Sequence, residues 1–230
     1  MIFQRKKPDN KKKLVFSECD IKSLESIQIN ENKCIQYNLK NIQIKPLSKT
    51  LITGESGVGK SILLKTMFYA PRKYTGSILM NHCELENIKD NVPFKNVAFI
   101  PQNPYIFNNT LRFNLTLGKN IEESKIKSVL KSLKLDNLLN DSQELNRMIS
   151  TDGGNISGGE AMRICIARAI LMGKDVLVMD EPFAALDAET SLIVAKFVQL
   201  LNMTVILTGH RLDKNITQIF TNIIHIEKEN

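Results

Sequence analysis

Short β-rich runs recur along the chain, and each ends where polar or glycine residues begin. Four of these runs occupy residues 49–53, 96–100, 175–180 and 203–208. Because they are apolar on both faces and alternate with helical stretches, they predict a largely parallel sheet covered by helices. Ligands of such sheets bind at the carboxyl ends of the strands. The residues that directly follow these runs are therefore the first candidates for a binding site.

A helical pattern occupies the middle of the chain. Within residues 123–140, four apolar residues recur at helical spacing with lysines between them: Ile126, Val129, Leu130 and Leu133. No strand-like run follows until Val176. This predicts a helical subdomain, about residues 103–157, inserted in the sheet domain. Residues 188–201 predict a further helix, and residues 221–227 a last strand.

The composition is ordinary for a folded domain, with 43% hydrophobic residues in 230. No apolar stretch approaches the roughly 18 residues that a membrane helix needs. The four cysteines form no CxxC pair, and we expect them to be buried and reduced: Cys19, Cys34, Cys83 and Cys165.

The net charge of +7 is concentrated at the N-terminus, where residues 1–13 hold six basic side chains and one acidic one. We interpret residues 1–13 as a basic tail or linker and residues 14–230 as the folded domain. The tail is either a solvated linker or a segment that contacts anionic lipid headgroups. Because the rest of the chain has a small net charge, we expect no nucleic-acid partner.

The sequence GESGVGKS fits the phosphate-loop pattern GxxxxGK[ST], between a predicted strand and a predicted helix. Its glycines let backbone N–H groups surround phosphate oxygens, and the helix N-terminus adds the positive end of its dipole. Lys60 can reach the β- and γ-phosphates, and the Ser61 hydroxyl can bind Mg²⁺. The predicted nucleotide contacts are Gly54, Glu55, Ser56, Gly57, Val58, Gly59, Lys60, Ser61 and Ile62.

Polar residues also follow the other predicted strands. Asp180 and Glu181 are adjacent carboxylates that point in different directions, so one can serve Mg²⁺ while the other faces an attacking water. Gln102 can bind the metal or sense the γ-phosphate, and His210 can donate to that phosphate in the transition state. Taken alone, each of these residues also fits an ordinary structural or solvated position.

The sequence ISGGE, residues 156–160, has two interpretations. Ser157 and Glu160 form an SxxE capping box, which predicts a well-capped helix. Gly158 and Gly159 also expose backbone amides at the helix start, which favours an anion site. Since the helical insertion carries this site away from Lys60, its phosphate would come from another molecule. This predicts two chains in C2 symmetry, each covering the ATP that the other holds.

The ordered set GESGVGKS, PQNP, ISGGE, LVMDEP, AALD and TGHR resembles the nucleotide-binding domain of the ABC (ATP-binding cassette) ATPase family, from about residue 40 to the end. The resemblance implies an α/β fold of the P-loop NTPase type. Its expected parts are a mixed, largely parallel sheet core, an N-terminal antiparallel β region and an inserted α-helical subdomain. The expected cofactors are ATP and Mg²⁺, and the expected reaction is hydrolysis of ATP.

The resemblance also assigns a role to each motif residue. Lys60 and Ser61 are the Walker A residues, Gln102 is the Q-loop glutamine, and Asp180 is the Walker B aspartate, with Ser61, Gln102 and Asp180 near Mg²⁺. Glu181 is the catalytic base, which acts with Lys60 and His210, the switch histidine. The signature residues are Ser157, Gly158, Gly159 and Glu160, and Asp187 is the D-loop aspartate.

Two departures from the family pattern concern the nucleotide. Ile62 stands where a hydroxyl residue is usual, which removes one contact to phosphate. Residues 26–32, where the family commonly carries an aromatic residue that stacks on adenine, contain none, and Tyr37 and Phe16 are poorly spaced substitutes. Because stacking contributes about 1–3 kcal/mol, we expect weaker ATP binding or an unusual adenine pocket.

Transport is the function that the resemblance implies. The expected partners are a second ABC ATPase domain, identical or different, and a membrane-spanning permease, fused or separate, at the cytoplasmic face of the membrane. The sequences PYIFNNTLRFNL and STDGGNISGGE are similar to exporter cassettes, in which an acidic residue at the position of Asp152 lies near the coupling helices. Phe183 is more typical of importers, but the balance favours export.

Two other classes are weighed against transport. Soluble ABC ATPases serve repair, translation or cofactor assembly. Repair types need a long coiled-coil insertion and translation factors need two cassettes, and this sequence shows neither. A nucleotide-gated module without turnover is disfavoured because Glu181 and His210 are both in place.

Overall fold

The computed structural model describes residues 15–70, 72–88, 94–139, 144–150, 155–210 and 212–227. The predicted tail at residues 1–13 and Asp152 lie outside these ranges. Within the described part, no helix is both long and apolar enough to cross a membrane.

The strands fall in both halves of the chain and differ widely in length. In chain order they are β1 (Cys19–Asn30), β2 (Lys33–Ile44), β3 (Lys49–Gly54), β4 (Tyr74–Met80), β5 (Cys83–Glu84), β6 (Val97–Ile100), β7 (Asn109–Thr110), β8 (Met148–Ile149), β9 (Val176–Met179), β10 (Thr204–Thr208) and β11 (Asn222–Ile226).

The α-helices lie between these strands or cover them. They are α1 (Lys60–Phe68), α2 (Leu111–Thr116), α3 (Glu123–Ser132), α4 (Gly158–Leu171), α5 (Ala188–Leu200) and α6 (Lys214–Thr217). Short 3₁₀ turns occupy Leu85–Asn87, Asp136–Leu139 and Glu144–Asn146.

A parallel sheet with the strand order β11-β3-β10-β9-β6 forms the centre of the fold. This confirms the parallel sheet and all five of its strands that the sequence predicts. An antiparallel sheet, in the order β2-β1-β4-β5, packs beside it and confirms the expected N-terminal β region. The short antiparallel pair β7–β8 was not predicted, because two-residue strands leave no periodic pattern in the sequence.

The central sheet is buried on both faces, as the uninterrupted apolar strands predict. Successive strand residues point to opposite faces, so Leu177 and Met179 pack with the inserted helices, α4 and α5. Val176 and Val178 pack with α1 and the antiparallel sheet. Two hydrophobic cores therefore fix the sheet from both sides, and the polar residues that follow its strands gather along one edge.

The amphipathic pattern of α3 gives the face that the sequence predicts. Ile126, Leu130 and Leu133 are fully buried, and Val129 is partly buried against the same core.

The expectation for the cysteines is only half right. Cys19 and Cys165 are buried, whereas Cys34 and Cys83 are exposed. The two exposed residues lie beside strand ends, Cys34 near the β1–β2 turn and Cys83 on the two-residue strand β5, where few side chains cover them.

The start of α4 approaches a neighbouring loop closely at Gly159. A Cβ atom added to Gly159 would lie 2.7 Å from the Ala185 carbonyl oxygen and 2.8 Å from Leu186 Cδ2. A Cβ atom on Gly158 would meet only the Ala185 Cβ, at an ordinary 3.7 Å. The second glycine of ISGGE is therefore required for packing within this chain, whatever else the motif does.

This difference between the two glycines can be measured. Replacing Gly159 with Ala should lower the free energy of unfolding by about 1–3 kcal/mol relative to Gly158→Ala, because only the former forces the helix from the Ala185 carbonyl. Both variants share the helix-propensity gain of about 1 kcal/mol that Ala has over Gly. Equal stabilities in urea unfolding of the two variants would contradict this packing.

Candidate active site

The phosphate loop lies between β3 and α1 and is supported from below by Tyr37. Gly59, which precedes α1, has φ of +103°, a region that favours glycine. A Cβ atom there would lie 2.4 Å from Tyr37 Oη. The Tyr37 hydroxyl donates to the Gly59 carbonyl at 3.0 Å, and burial raises the pKa of Tyr37, so this hydroxyl keeps its proton. Tyr37 thus fixes the last turn of the loop.

This arrangement also bears on the adenine pocket. Tyr37 and Phe16 are each only 2% exposed. Phe16 packs edge-on against Phe68, with ring centroids 5.3 Å apart. Neither aromatic ring therefore offers an open face to a purine, which agrees with the poor spacing of both residues in the sequence.

Lys60 lies inside the phosphate loop. It is 4% exposed, and its ammonium donates to the carbonyl oxygens of Gly54 at 2.9 Å and Glu55 at 2.8 Å. A buried ammonium needs such partners, and phosphate oxygens would be stronger acceptors than these carbonyls.

Asp180 is the centre of the hydrogen bonds at the sheet edge. It is 2% exposed, and its Oδ1 accepts from Ser61 Oγ at 2.8 Å and from Thr208 Oγ1 at 2.8 Å. The three residues come from α1, the end of β9 and the end of β10. A single carboxylate thus joins the phosphate loop to strands β9 and β10 of the sheet.

The oxygen atoms around Asp180 fit Mg²⁺. The ion prefers hydroxyl, carboxylate and amide oxygens, and the 2.8 Å between Ser61 Oγ and Asp180 Oδ1 is about the spacing of adjacent ligands in an octahedron with bonds of about 2.0–2.1 Å. In the described residues, no group of three or more His, Cys, Asp and Glu side chains could hold a metal. At this edge, Ser61 and Asp180 would hold Mg²⁺ together with oxygens from outside the chain.

Glu181 has a strained backbone and a different partner from Asp180. Its φ of +49° is in the left-handed region, which costs about 1–3 kcal/mol for a residue that is not glycine. Its N–H donates to Thr208 Oγ1 at 2.9 Å. Its carboxylate accepts from Gln102 Nε2 at 3.1 Å. The adjacent acids therefore face different groups, Asp180 towards Ser61 and Glu181 towards Gln102.

Thr208 was not singled out from the sequence, although it connects both acids. A threonine that ends a buried strand is common, so its type carries no signal. Only the register of β10 against β9, which pairs Leu207 with Met179, places Thr208 level with Asp180.

His210 follows Thr208 and Gly209 at the end of β10. It is exposed and lines a cavity of about 660 Å³ together with Glu181 and Thr208. The structure therefore brings the predicted switch residue to the same cavity as the predicted base. Asp213 also lines this cavity.

The signature residues form the start of α4. Ser157 Oγ accepts from the Glu160 N–H at 3.2 Å, and Glu160 Oε2 accepts from the Ser157 N–H at 2.9 Å. These two hydrogen bonds confirm the predicted capping box. Asn137 donates a further hydrogen bond to Glu160 at 2.8 Å. The helix start is thus held rigidly by its own side chains.

Asp187 caps the next helix and ends the loop that Gly159 touches. Its carboxylate accepts from the N–H of Thr190 at 2.8 Å and from its hydroxyl at 2.7 Å. These hydrogen bonds, the backbone one first, hold the pKa of Asp187 below its usual range. The predicted D-loop and signature are therefore in direct contact within one chain.

A second concave surface lies between the sheet and the inserted helices. This aromatic groove has a volume of about 510 Å³, and its lining includes Tyr69, Phe99, Tyr105, Cys165 and Arg168. Tyr69 stacks on Phe99 with ring centroids 5.2 Å apart. Tyr69 is 57% exposed and Tyr105 is 67% exposed. Two exposed tyrosines thus line one groove.

The groove is tied to α4 by Asn114 and Arg168. Asn114 is fully buried, and its amide exchanges hydrogen bonds with the backbone of Phe107 at 2.8 and 2.9 Å. Arg168 donates to the Asn114 carbonyl at 2.6 Å and to the Tyr105 carbonyl at 3.2 Å, and it lies over the Phe107 ring. Arg168 therefore joins the loop at residues 105–107 to α4.

Comparisons with known proteins show the family of this chain. A family model described as ABC transporter matches residues 37–184. The multidrug resistance-like ATP-binding protein MdlB of Buchnera aphidicola is 31% identical over 196 residues, which cover 83% of this chain and 34% of that protein. The lactococcin-A transport/processing ATP-binding protein LcnC of Lactococcus lactis is 31% identical over 175 residues, which cover 74% and 24%.

Two further comparisons concern the same family and its fold. The ATP-dependent lipid A-core flippase of Acinetobacter baylyi is 31% identical over 177 residues, which cover 75% of this chain and 31% of that protein. A solved structure of a bacterial Atm1-family ABC exporter with ATP bound has a TM-score of 0.79 at 20% identity, and the match covers 94% of this chain and 38% of that chain. This structural likeness shows the fold.

The chain spans about a quarter to a third of the length of these curated relatives. The family match covers more than half of this chain and includes the phosphate loop, the signature and both adjacent acids. The expected P-loop fold is confirmed as well. This chain therefore belongs to the ABC transporter family, as a nucleotide-binding domain.

Proposed function

We propose that this chain binds and hydrolyses ATP with Mg²⁺, as the nucleotide-binding domain of a transporter that exports its substrate. The hydrogen-bonded cluster at the carboxyl edge of the parallel sheet carries the proposal. It connects Ser61 of the phosphate loop with Asp180, Thr208 and Glu181. These hydrogen bonds thus join the phosphate loop, a carboxylate suited to a metal and the backbone of the residue suited to an attacking water.

In this proposal each side chain has a distinct task. Lys60 exchanges its two loop carbonyls for the β- and γ-phosphates, and Ser61 and Asp180 hold Mg²⁺, which neutralises phosphate charge when bound. Glu181 positions the attacking water and accepts its proton. Gln102, which donates to Glu181 in this structure, would hold Mg²⁺ together with Ser61 and Asp180, and His210 would donate to the γ-phosphate from the neighbouring strand end.

The signature supplies the missing cover of each site in a dimer. The 14-residue helix α4 presents two glycines and its positive end at a rigid cap. Because one chain contains both the phosphate loop and the signature, two identical copies in C2 symmetry can complete two sites. A dimer with a different ABC domain would use the same contacts.

The aromatic groove is the proposed contact with a membrane-spanning permease, at the cytoplasmic face of the membrane. Exposed aromatic clusters at a junction of subdomains are typical of interaction sites. Lys65 and Arg168 also line the groove, so a permease segment with apolar and acidic side chains would complement it. Export is favoured because the relatives include a multidrug resistance-like protein and a lipid flippase.

We also propose the domain division: a basic tail at residues 1–13, an ABC ATPase domain at 14–230 and a helical subdomain at about 103–157. The inserted helices α2 and α3 support the subdomain. A soluble ABC ATPase for repair, translation or cofactor assembly remains the alternative function.

Replacing Glu181 with Gln should lower kcat for ATP hydrolysis by about 100-fold or more, because the amide cannot accept the proton of water. ATP binding should persist, so the variant should elute as a dimer in size-exclusion chromatography with saturating ATP. The matched change Glu122→Gln, at an exposed acid next to α3 that does not line the cavity shared by Glu181 and His210, should leave kcat unchanged. A Glu181→Gln protein that stays monomeric at saturating ATP would count against the shared site.

Two inactive variants should restore each other when mixed. Ser157→Arg blocks the signature and Lys60→Ala removes the phosphate ligand, so either variant alone should be inactive. A dimer of one copy of each has one intact site, and an equal mixture should regain up to about a quarter of the wild-type rate. No recovery in the mixture, in a steady-state ATPase assay, would indicate that each chain acts alone.

The proposed permease contact can be tested by introducing a negative charge into the aromatic groove. With the tagged 230-residue chain, Tyr69→Glu and Tyr105→Glu should each abolish copurification of a membrane-spanning protein from detergent-solubilised native membranes. Leu200→Glu, at an apolar residue that is 82% exposed outside the groove, should not. Unchanged copurification with both tyrosine variants would place the permease contact elsewhere.

A further inference from the structure

We propose that Thr208 is a positioning residue for ATP hydrolysis, whose hydroxyl fixes the backbone of the catalytic base relative to the metal-binding aspartate. The inference rests on the proposed hydrolysis and gives a role to Thr208, the first residue of TGHR, to which the motif assigns none. Thr208 is fully buried, at the carboxyl end of β10.

The direction of its hydrogen bonds is fixed by chemistry. The N–H of Glu181 can only donate, so the Thr208 oxygen accepts from it at 2.9 Å. The single hydroxyl proton is then directed to Asp180 Oδ1, which lies 2.8 Å away and accepts it. The hydroxyl therefore bridges the Glu181 backbone and the Asp180 carboxylate. A methyl group could form neither hydrogen bond, and a group that only donates could not accept from the Glu181 N–H.

The backbone of Glu181 shows why such a bridge is needed. Glu181 has φ of +49°, a conformation that persists only where surrounding contacts enforce it. The Thr208 hydroxyl is the acceptor of its N–H. If this contact were lost, Glu181 could relax to an ordinary conformation, and its carboxylate would turn away from its contact with Gln102.

The position of β10 in the sheet places Thr208 between the phosphate loop and the two acids. Strand β10 lies between β3, which leads into the phosphate loop, and β9, which leads into the two acids. Ser61 reaches the same Asp180 oxygen from the β3 side. The two hydroxyls therefore hold this oxygen from two sides.

A purely structural role is the competing explanation, and Thr204 offers a matched control. Thr204 lies at the opposite end of the same strand and is 4% exposed. Its hydroxyl also accepts a backbone hydrogen bond, from the Leu47 N–H at 2.8 Å. Thr204 and Thr208 thus share residue type, burial and an accepted backbone hydrogen bond. They differ in position, because only Thr208 lies at the end of the strand next to the two acids.

The test compares Thr208→Val, Thr208→Ser and Thr204→Val in the 230-residue chain. Thr208→Val should lower kcat about tenfold or more while KM for ATP stays within about threefold, because misplaced catalytic groups slow chemistry more than binding. Thr208→Ser, which keeps the hydroxyl, should stay within about threefold of the wild-type kcat. Thr204→Val should lower the melting temperature to a similar degree and leave kcat unchanged.

Amide hydrogen exchange of Glu181, measured by NMR without nucleotide, gives a second readout that needs no activity. The Glu181 amide should exchange about tenfold or more faster in Thr208→Val, and at the wild-type rate in Thr208→Ser and Thr204→Val. An unchanged exchange rate in Thr208→Val would overturn the proposal, and so would equal kcat losses in Thr208→Val and Thr204→Val. A wild-type chain without ATPase activity would refute the proposed hydrolysis, and the exchange rates alone would then decide the role of Thr208.

Discussion

The parallel register of the central sheet is the constraint on which the rest of this structure depends. Strands β3, β10 and β9 run side by side, with Thr208 paired to Ile52 and Leu207 paired to Met179. The residues that follow these strands must then emerge at the same edge. The phosphate loop, the two acids and His210 come from distant parts of the sequence, and the register brings them to one edge. Two hydrophobic cores, one on each face, keep it there.

Close packing at glycines gives two segments of the proposed site a second role. Gly59 leaves room for Tyr37 beneath the phosphate loop, and Gly159 leaves room for the Ala185 carbonyl beneath the start of α4. Each glycine also exposes backbone N–H groups that can face a phosphate. The same absence of a side chain therefore serves packing within the chain and, in the proposed dimer, contact with the nucleotide.

The sequence predicts the parts of this molecule that depend on local pattern. The strands of the parallel sheet, the buried face of α3 and the capping box at Ser157 follow from periodicity and short motifs, and the structure has them. The contacts of Thr208 and Tyr37 could not be predicted in this way. They depend on which strands are neighbours, and a threonine or tyrosine in a strand is ordinary. The wrong prediction that Cys34 and Cys83 are buried has the same cause, because burial of a side chain depends on which parts of the chain pack over it. The roles assigned to the site residues are still predictions, because they concern a nucleotide, a metal and a second copy.

The central claim is that one chain holds the phosphate loop and the acids of a site, whereas the helix start that covers the nucleotide belongs to another copy. The most direct test is the rate of ATP hydrolysis per molecule of purified protein, measured over a wide dilution series at saturating ATP and Mg²⁺. We expect this rate to fall steeply once the concentration drops below that of self-association. A rate per molecule that stays constant down to concentrations at which the protein is monomeric would contradict it.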